Sequence, residues 1–199
     1  MPVFELREEK FQIREKYRKI RASISEEEKK LLDSQICEKF LSCISYRYCD
    51  TILMYSPVRD EINVDAIAER ALADGKRVAY PRCIPGTNKM NFHFVTSLDE
   101  LQKGGTFGIS EPSETNEKFS KRTNSCAICL VPALVYDKYG YRIGYGKGFY
   151  DRYLSHFSGS VIGIAYKSLV SDVPLPRGKF DVRANAIVTE EGVLSIARI

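Results

Sequence analysis

The sequence predicts an α/β protein of three layers, α/β/α, with a mixed, mostly parallel central sheet and an N-terminal helical pair. Three observations carry this expectation. Short, continuously apolar runs look like strands covered on both faces, helix-spaced segments alternate with them, and the leading stretch shows helical periodicity alone. With 199 residues and 44% hydrophobic content the chain can bury one full core, so a single domain over residues 1–199 is expected.

The first helix runs through the sign-alternating charges between Glu5 and Arg21. The second starts at Ser25, with Glu28 three residues on as a capping box, and Leu31, Leu32, Ile36, Phe40 and Ile44 form its apolar stripe. Residues 51–55 read as a buried parallel strand. Asn63 then caps a third helix with Ile67, Ala71 and Leu72 facing inward, stopped at Gly75 before residues 77–80 resume extended structure. That is one β-α-β unit. Residues 90–95 alternate and predict a strand with one face less buried, whereas 126–134 and 160–166 read as central strands. The polar stretch 111–124 is expected to be a surface loop. Residues 147–157 form a short helix with Tyr150, Tyr153, Leu154 and Phe157 at helical spacing, and 186–189 with 193–196 close a hairpin around Gly192.

A net charge of +4, with the signs interleaved, suits small anionic ligands and gives no basic stripe for nucleic acid. Glu5, Glu8 and Glu9 at the N-terminus leave no apolar leader, and no run is long enough to span a bilayer. Six scattered cysteines fit reduced thiols in the cytoplasm, with Cys126 and Cys129 read as buried structural residues. His93 and His156 lack neighbours at ligand spacing, which excludes zinc chemistry and a histidine triad.

The chemistry concentrates between Gly140 and Asp151. Gly144, Gly146 and Gly148 let successive backbone amides converge on an anion, Arg142 and Lys147 add positive charge, and a helix N-terminus follows. This reads as a phosphate cradle. It is neither the Walker pattern nor the dinucleotide fingerprint, since no Lys-Ser or Lys-Thr pair follows and the final glycine is missing.

With its partners this loop resembles the 5-formyltetrahydrofolate cyclo-ligase family, also called 5,10-methenyltetrahydrofolate synthetase, over nearly the whole chain. The resemblance rests on Asp137-x-x-Gly140-x-Arg142-Ile143-Gly144-x-Gly146-Lys147-Gly148-Phe149-Tyr150-Asp151. Supporting it are Lys10-x-x-x-Arg14, Asp60-Glu61-Ile62 after the first strand, Tyr80-Pro81-Arg82 after the second, Phe107-Gly108-Ile109-x-Glu111-Pro112, and Asp181 followed by Ile187 to Glu190.

The resemblance implies an ATP- and magnesium-dependent cyclisation of 5-formyltetrahydrofolate to 5,10-methenyltetrahydrofolate, releasing ADP and phosphate. It assigns Lys10, Arg14, Arg142, Ile143, Gly144, Tyr145, Gly146, Lys147, Gly148, Phe149 and Tyr150 to ATP. Glu61, Ser56 and the loop residues Tyr145, Gly146, Lys147, Gly148 and Phe149 go to the folate, with Lys147, Tyr150 and Arg142 in catalytic roles. Asp151 and Asp181 become magnesium ligands. The expected state is a cytoplasmic monomer with neither nucleic acid nor membrane as partner. Two competing readings are a sugar-phosphate or CoA-type enzyme on a similar scaffold, and an RNA-binding module suggested by Lys147-Gly148-Phe149. The RNA-recognition signature breaks at Tyr150-Asp151-Arg152, and the set Lys10, Arg14, Glu61 and Asp181 disfavours both readings.

Overall fold

The apolar runs pair into a seven-stranded sheet of order β10-β9-β7-β4-β1-β2-β3, seen in a computed structural model that describes residues 3–58, 60–105, 108–120 and 126–197. Its strands are β1 (Thr51–Leu53), β2 (Arg77–Cys83), β3 (Met90–Val95), β4 (Ala127–Pro132), β7 (Ser160–Ile164), β9 (Ala186–Thr189) and β10 (Gly192–Ser195). The five strands from β9 to β2 are parallel, and the edge strands β3 and β10 are antiparallel. A second sheet, not expected from the sequence, joins β5 (Val135–Asp137) to β6 (Arg142–Ile143) and β8 (Val170–Ser171). It intervenes between the central strand and the glycine loop, which was expected to follow that strand directly.

Side chains of period two divide the core between the sheet's faces. Ile52, Val78, Ile128 and Ile162 pack with α1 (Val3–Ala22), α2 (Glu26–Ser42) and α4 (Asp65–Ala73). Leu53, Ala79, Cys129 and Val161 pack on the other face with Tyr153 and Leu154 of α5 (Phe149–Leu154) and with Phe119. That second layer is thin, one short helix and loop side chains. Ser25 caps α2 by accepting from the Glu28 amide at 3.1 Å, a contact worth about 1 kcal/mol.

Several local expectations are corrected. Leu31 and Ile44 are exposed, because α2 ends at Ser42 and a separate helix α3 (Ile44–Tyr48) begins at Ile44. Val64, not Asn63, occupies the N-cap of α4, and Asn63 accepts from the Asp65 amide one position earlier. Cys126 is exposed, since β4 starts after it. The stretch 111–120 is only partly surface, because Glu111 and Phe119 are buried; residues 121–124 of that expected loop, and Phe107 of the sequence motif, lie outside the described residues. His93 is buried on the β3 face expected to be open, with its Nδ1 on the Asn116 carbonyl. Tyr80-Pro81-Arg82 lies within β2. Proline is tolerated there because pairing of β2 to β1 stops at Ala79.

Gly163 in β7 shows how tightly the two sheets approach. A Cβ there would sit 2.6 Å from the ring of Tyr136, a fully buried residue whose hydroxyl donates to the Val131 carbonyl at 2.9 Å. Gly163→Val should therefore lower stability by about 1–3 kcal/mol in chemical denaturation, since two packed sheets cannot separate to admit the side chain. An unchanged midpoint would mean that Tyr136 can swing clear.

Candidate active site

The glycine loop is shaped by one buried carboxylate. Asp137, at the end of β5, accepts from the amides of Tyr139 and Tyr141 through Oδ1 and from Leu175 through Oδ2, tying the β5–β6 turn to the C-terminal segment. The chain then leaves β6 into residues 144–148, where Gly146 (φ 95°) and Gly148 (φ 70°) are left-handed, a conformation side chains oppose. Gly148 is the N-cap of α5, which has six residues instead of the expected run to Phe157. So short a helix adds little dipole, and anion binding falls to the loop amides and nearby cations.

Helix α1 supplies those cations. Arg14 donates through Nε to the Gly144 carbonyl at 2.8 Å, and its guanidinium lies against Gly146, 3.3 Å from where a Cβ would be. Burial, with the nearby charge of Arg18, pulls its pKa below the ordinary arginine value. Lys10, one turn earlier, pairs with Asp181 at 2.5 Å. Tyr145, Gly146 and Lys147 are exposed at the rim, while Ile143 is buried beneath.

The two expected metal carboxylates are held near each other. Asp151 takes Arg142 Nη2 (2.7 Å) and the Val182 amide (3.2 Å) on Oδ1, and Val182 is the residue after Asp181. Asp181 takes Lys10 and the Gly178 amide (2.9 Å) on Oδ2. Each therefore spends one oxygen on the protein. One or two hard carboxylate oxygens, with phosphates and waters completing the shell, suit magnesium. Among the described residues no group of three His, Cys, Asp or Glu side chains forms a fuller cage.

Past the carboxyl end of β1, Glu61 is 6% exposed. Burial drives its pKa up to about 7, against the Val58 amide, which donates at 3.1 Å, and the charge of Arg21. Tyr150 lies close enough to feel the Glu61 charge. Its residue is half-buried but its hydroxyl end is enclosed, and desolvation first, then Cys129 and Glu61, holds the phenol well above its ordinary range. It stays protonated, so it can donate or accept a hydrogen bond or pack its ring but not act as a phenolate base. Phe149 packs against the second core, and Ser56 donates to the Ser110 carbonyl at 2.6 Å.

The fold thus gathers Lys10, Arg14, Arg142, the glycine loop, Asp151 and Asp181 through direct contacts, and Tyr150, next after the loop's Phe149, feels the charge of Glu61. Sequence reasoning missed Arg21. It shares a helical face with Lys10, Arg14 and Tyr17 through spacings of four, three and four, and that spacing was the available signal.

Cations, loop amides and two carboxylates held together, with a buried acid past β1, fit an α/β enzyme that handles phosphate beside a second polar ligand. The model of the 5-formyltetrahydrofolate cyclo-ligase family matches residues 6–190, and the chain belongs to that family. It is 30% identical to the 5-formyltetrahydrofolate cyclo-ligase of Haemophilus influenzae, over 78% of this chain and 84% of that one. Identity is also 30% to the cyclo-ligase of Mycoplasma pneumoniae, covering 86% and 92% of the two chains. The NMR structure of Aquifex aeolicus 5,10-methenyltetrahydrofolate synthetase superposes with a TM-score of 0.82 at 29% identity, over 96% of this chain and 94% of that one. The activity is ATP-dependent conversion of 5-formyltetrahydrofolate to 5,10-methenyltetrahydrofolate. No helix among the described residues is long and apolar enough to cross a membrane.

Proposed function

We propose that residues 144–150 with Lys10, Arg14 and Arg142 bind the ATP phosphates, and that Glu61, Ser56, Tyr145 and Phe149 receive the formylated folate. The observation that carries this reading is the docking of Arg14 onto Gly144 and Gly146, which joins α1 to the glycine loop across 130 residues of sequence. A formamide carbon is a poor electrophile, because the N5 lone pair donates into the carbonyl. Transfer of the γ-phosphoryl group to the formyl oxygen releases ADP and leaves an iminium-like carbon. N10 attacks that carbon and loses its proton, and the C–O bond breaks as phosphate leaves. No enzyme nucleophile is needed.

The side chains align two ligands and balance charge on the transferring group. Glu61 accepts from the N–H groups of the reduced pterin, and Lys147 donates to phosphate oxygens. Asp151 and Asp181 would hold Mg2+, which when bound neutralises phosphate charge. With Asp181 so engaged, Lys10 would be released from its ion pair to face phosphate. The protein would work as a monomer in the cytoplasm.

Lys147→Ala should lose roughly ten- to a hundredfold in kcat/KM, the worth of one charge-assisted hydrogen bond. The check is methenyl-product absorbance followed together with ADP release. Wild-type protein should form the two in equal amounts, only with folate and MgATP together. ADP release indifferent to the folate, or unchanged kinetics for the variant, would contradict the assignment.

A further inference from the structure

Arg21, at the end of α1, is 4% exposed, and its Nη2 donates to the carbonyl of Ala133, just past β4. Among the described residues its Nε and Nη1 are buried without a hydrogen-bond partner. The nearest carboxylate, Asp60, is 3.9 Å from Nε and itself substantially exposed. A buried guanidinium with two idle donors costs stability, and a hydrophobic side chain of similar size would avoid that cost. Glu61 follows Asp60 directly, and the charge of Arg21 acts on it.

We propose that Arg21 is a positioning residue for the folate: tethered to the end of β4, it orients the Asp60–Glu61 turn and supplies the positive charge that keeps the Glu61 carboxylate ionised as an acceptor for the pterin. This rests on Glu61 contacting the folate, as proposed above. An acceptor-only carboxylate must be charged, because a protonated one presents a donor to the pterin's own donors. Burial opposes that charge, Asp60 on the same turn opposes it too, and Arg21 from α1 favours it. Among the described residues, the other ionisable groups that feel the Glu61 charge are the hydroxyls of Tyr55 on the β1 side and Tyr150 on α5, both held protonated by burial. Beyond Arg21 lie Tyr166 and Asp33, joined to each other by a hydrogen bond.

The test measures KM separately for 5-formyltetrahydrofolate and ATP between pH 6 and 9. Arg21→Gln should raise the folate KM roughly fivefold at pH 7, the effect of moving the Glu61 titration up by about one unit, and the gap should close to within about twofold by pH 8.5. The ATP KM should not move, and Arg21→Lys should keep a profile close to wild type. Asp60→Asn, a surface change that leaves the core intact, should shift the folate profile toward lower pH. A raised folate KM without displacement of the profile, an equal rise in the ATP KM, or an Asp60→Asn profile that stays put would overturn the proposal. Glu61→Gln separates the two readings. If it leaves the folate KM unchanged, the Glu61 assignment and this proposal both fall. If it raises the KM and abolishes its pH dependence while Arg21→Gln and Asp60→Asn shift nothing, only the role of Arg21 falls.

Discussion

Glu61→Gln is expected to make the free protein more stable at pH 8 while weakening its hold on the folate. The Glu61 carboxyl is pushed up to about 7, above the ordinary glutamate value of 4.5, with burial as the leading cause. A carboxyl shifted upward binds its proton more tightly in the folded state. Its contribution is therefore fully present below about pH 4.5 and is lost as pH rises through about 7. At pH 8 the ionised, enclosed side chain costs on the order of 3 kcal/mol relative to a neutral one, and at pH 5 less than about 1 kcal/mol. Glutamine has the same shape and still accepts from the Val58 amide. Its melting temperature should exceed that of the wild type by roughly 6–12 °C at pH 8, with most of the difference gone at pH 5. The folate KM should rise roughly tenfold or more, the loss of charge-assisted bonds to the pterin. Thermal unfolding at the two pH values checks the first part and steady-state kinetics the second. A stability difference that does not vary with pH would show that Glu61 does not titrate in this range. Acidity retained at a cost to stability is what a binding residue exhibits.

Removing Asp151 should act in the opposite sense, costing stability and activity together. The Arg142 side chain is 5% exposed and depends on Asp151 for its Nη2, although Nη1 keeps the Val182 carbonyl. Asp151→Ala leaves a nearly buried cation without its counter-charge. With Asp151 itself 28% exposed, water recovers part of the loss, and about 2–3 kcal/mol is expected. Asp151→Asn keeps an oxygen for Arg142 and Val182 and should cost less. Both variants should lose on the order of a hundredfold in kcat and need more magnesium, since the ion proposed to offset phosphate charge would be held by one carboxylate fewer. A second change separates structure from chemistry: Arg142→Met added to Asp151→Ala should recover much of the stability and none of the activity. Unaltered magnesium dependence in Asp151→Asn would remove this carboxylate from the metal site.

Much of the architecture was written in local pattern. The apolar runs that became β1, β4 and β7, and the Ser25 cap, depend on neighbours within one or two turns, so spacing reveals them. The hairpin Ala186–Thr189 with Gly192–Ser195 is likewise local. What failed depended on distant partners. The second sheet exists because Val170–Ser171 returns to pair with Tyr136–Asp137, a contact across more than thirty residues that no periodicity encodes. Leu31 and Ile44 have apolar side chains at plausible spacing, yet the described residues leave both exposed.

The site divides in the same way. The glycines and cations from Gly140 to Asp151 suggested a phosphate loop by residue type, and the separated motifs made the family legible. Lys10, Arg14 and Asp181 had no meaning in isolation, since each is an ordinary surface charge until α1 is laid across the loop. By itself the sequence determined the fold class, the strands and helices of the main sheet's parallel core and the family, because these follow from short-range spacing and residue type. The tertiary structure alone decided that Arg14 seats on Gly144, that Lys10 meets Asp181, that Asp151 neutralises Arg142, and that Glu61 and Arg21 are both buried with the charge of one acting on the other. Those facts are electrostatic, and the strength of a charge depends on burial and on partners that only the closed fold supplies.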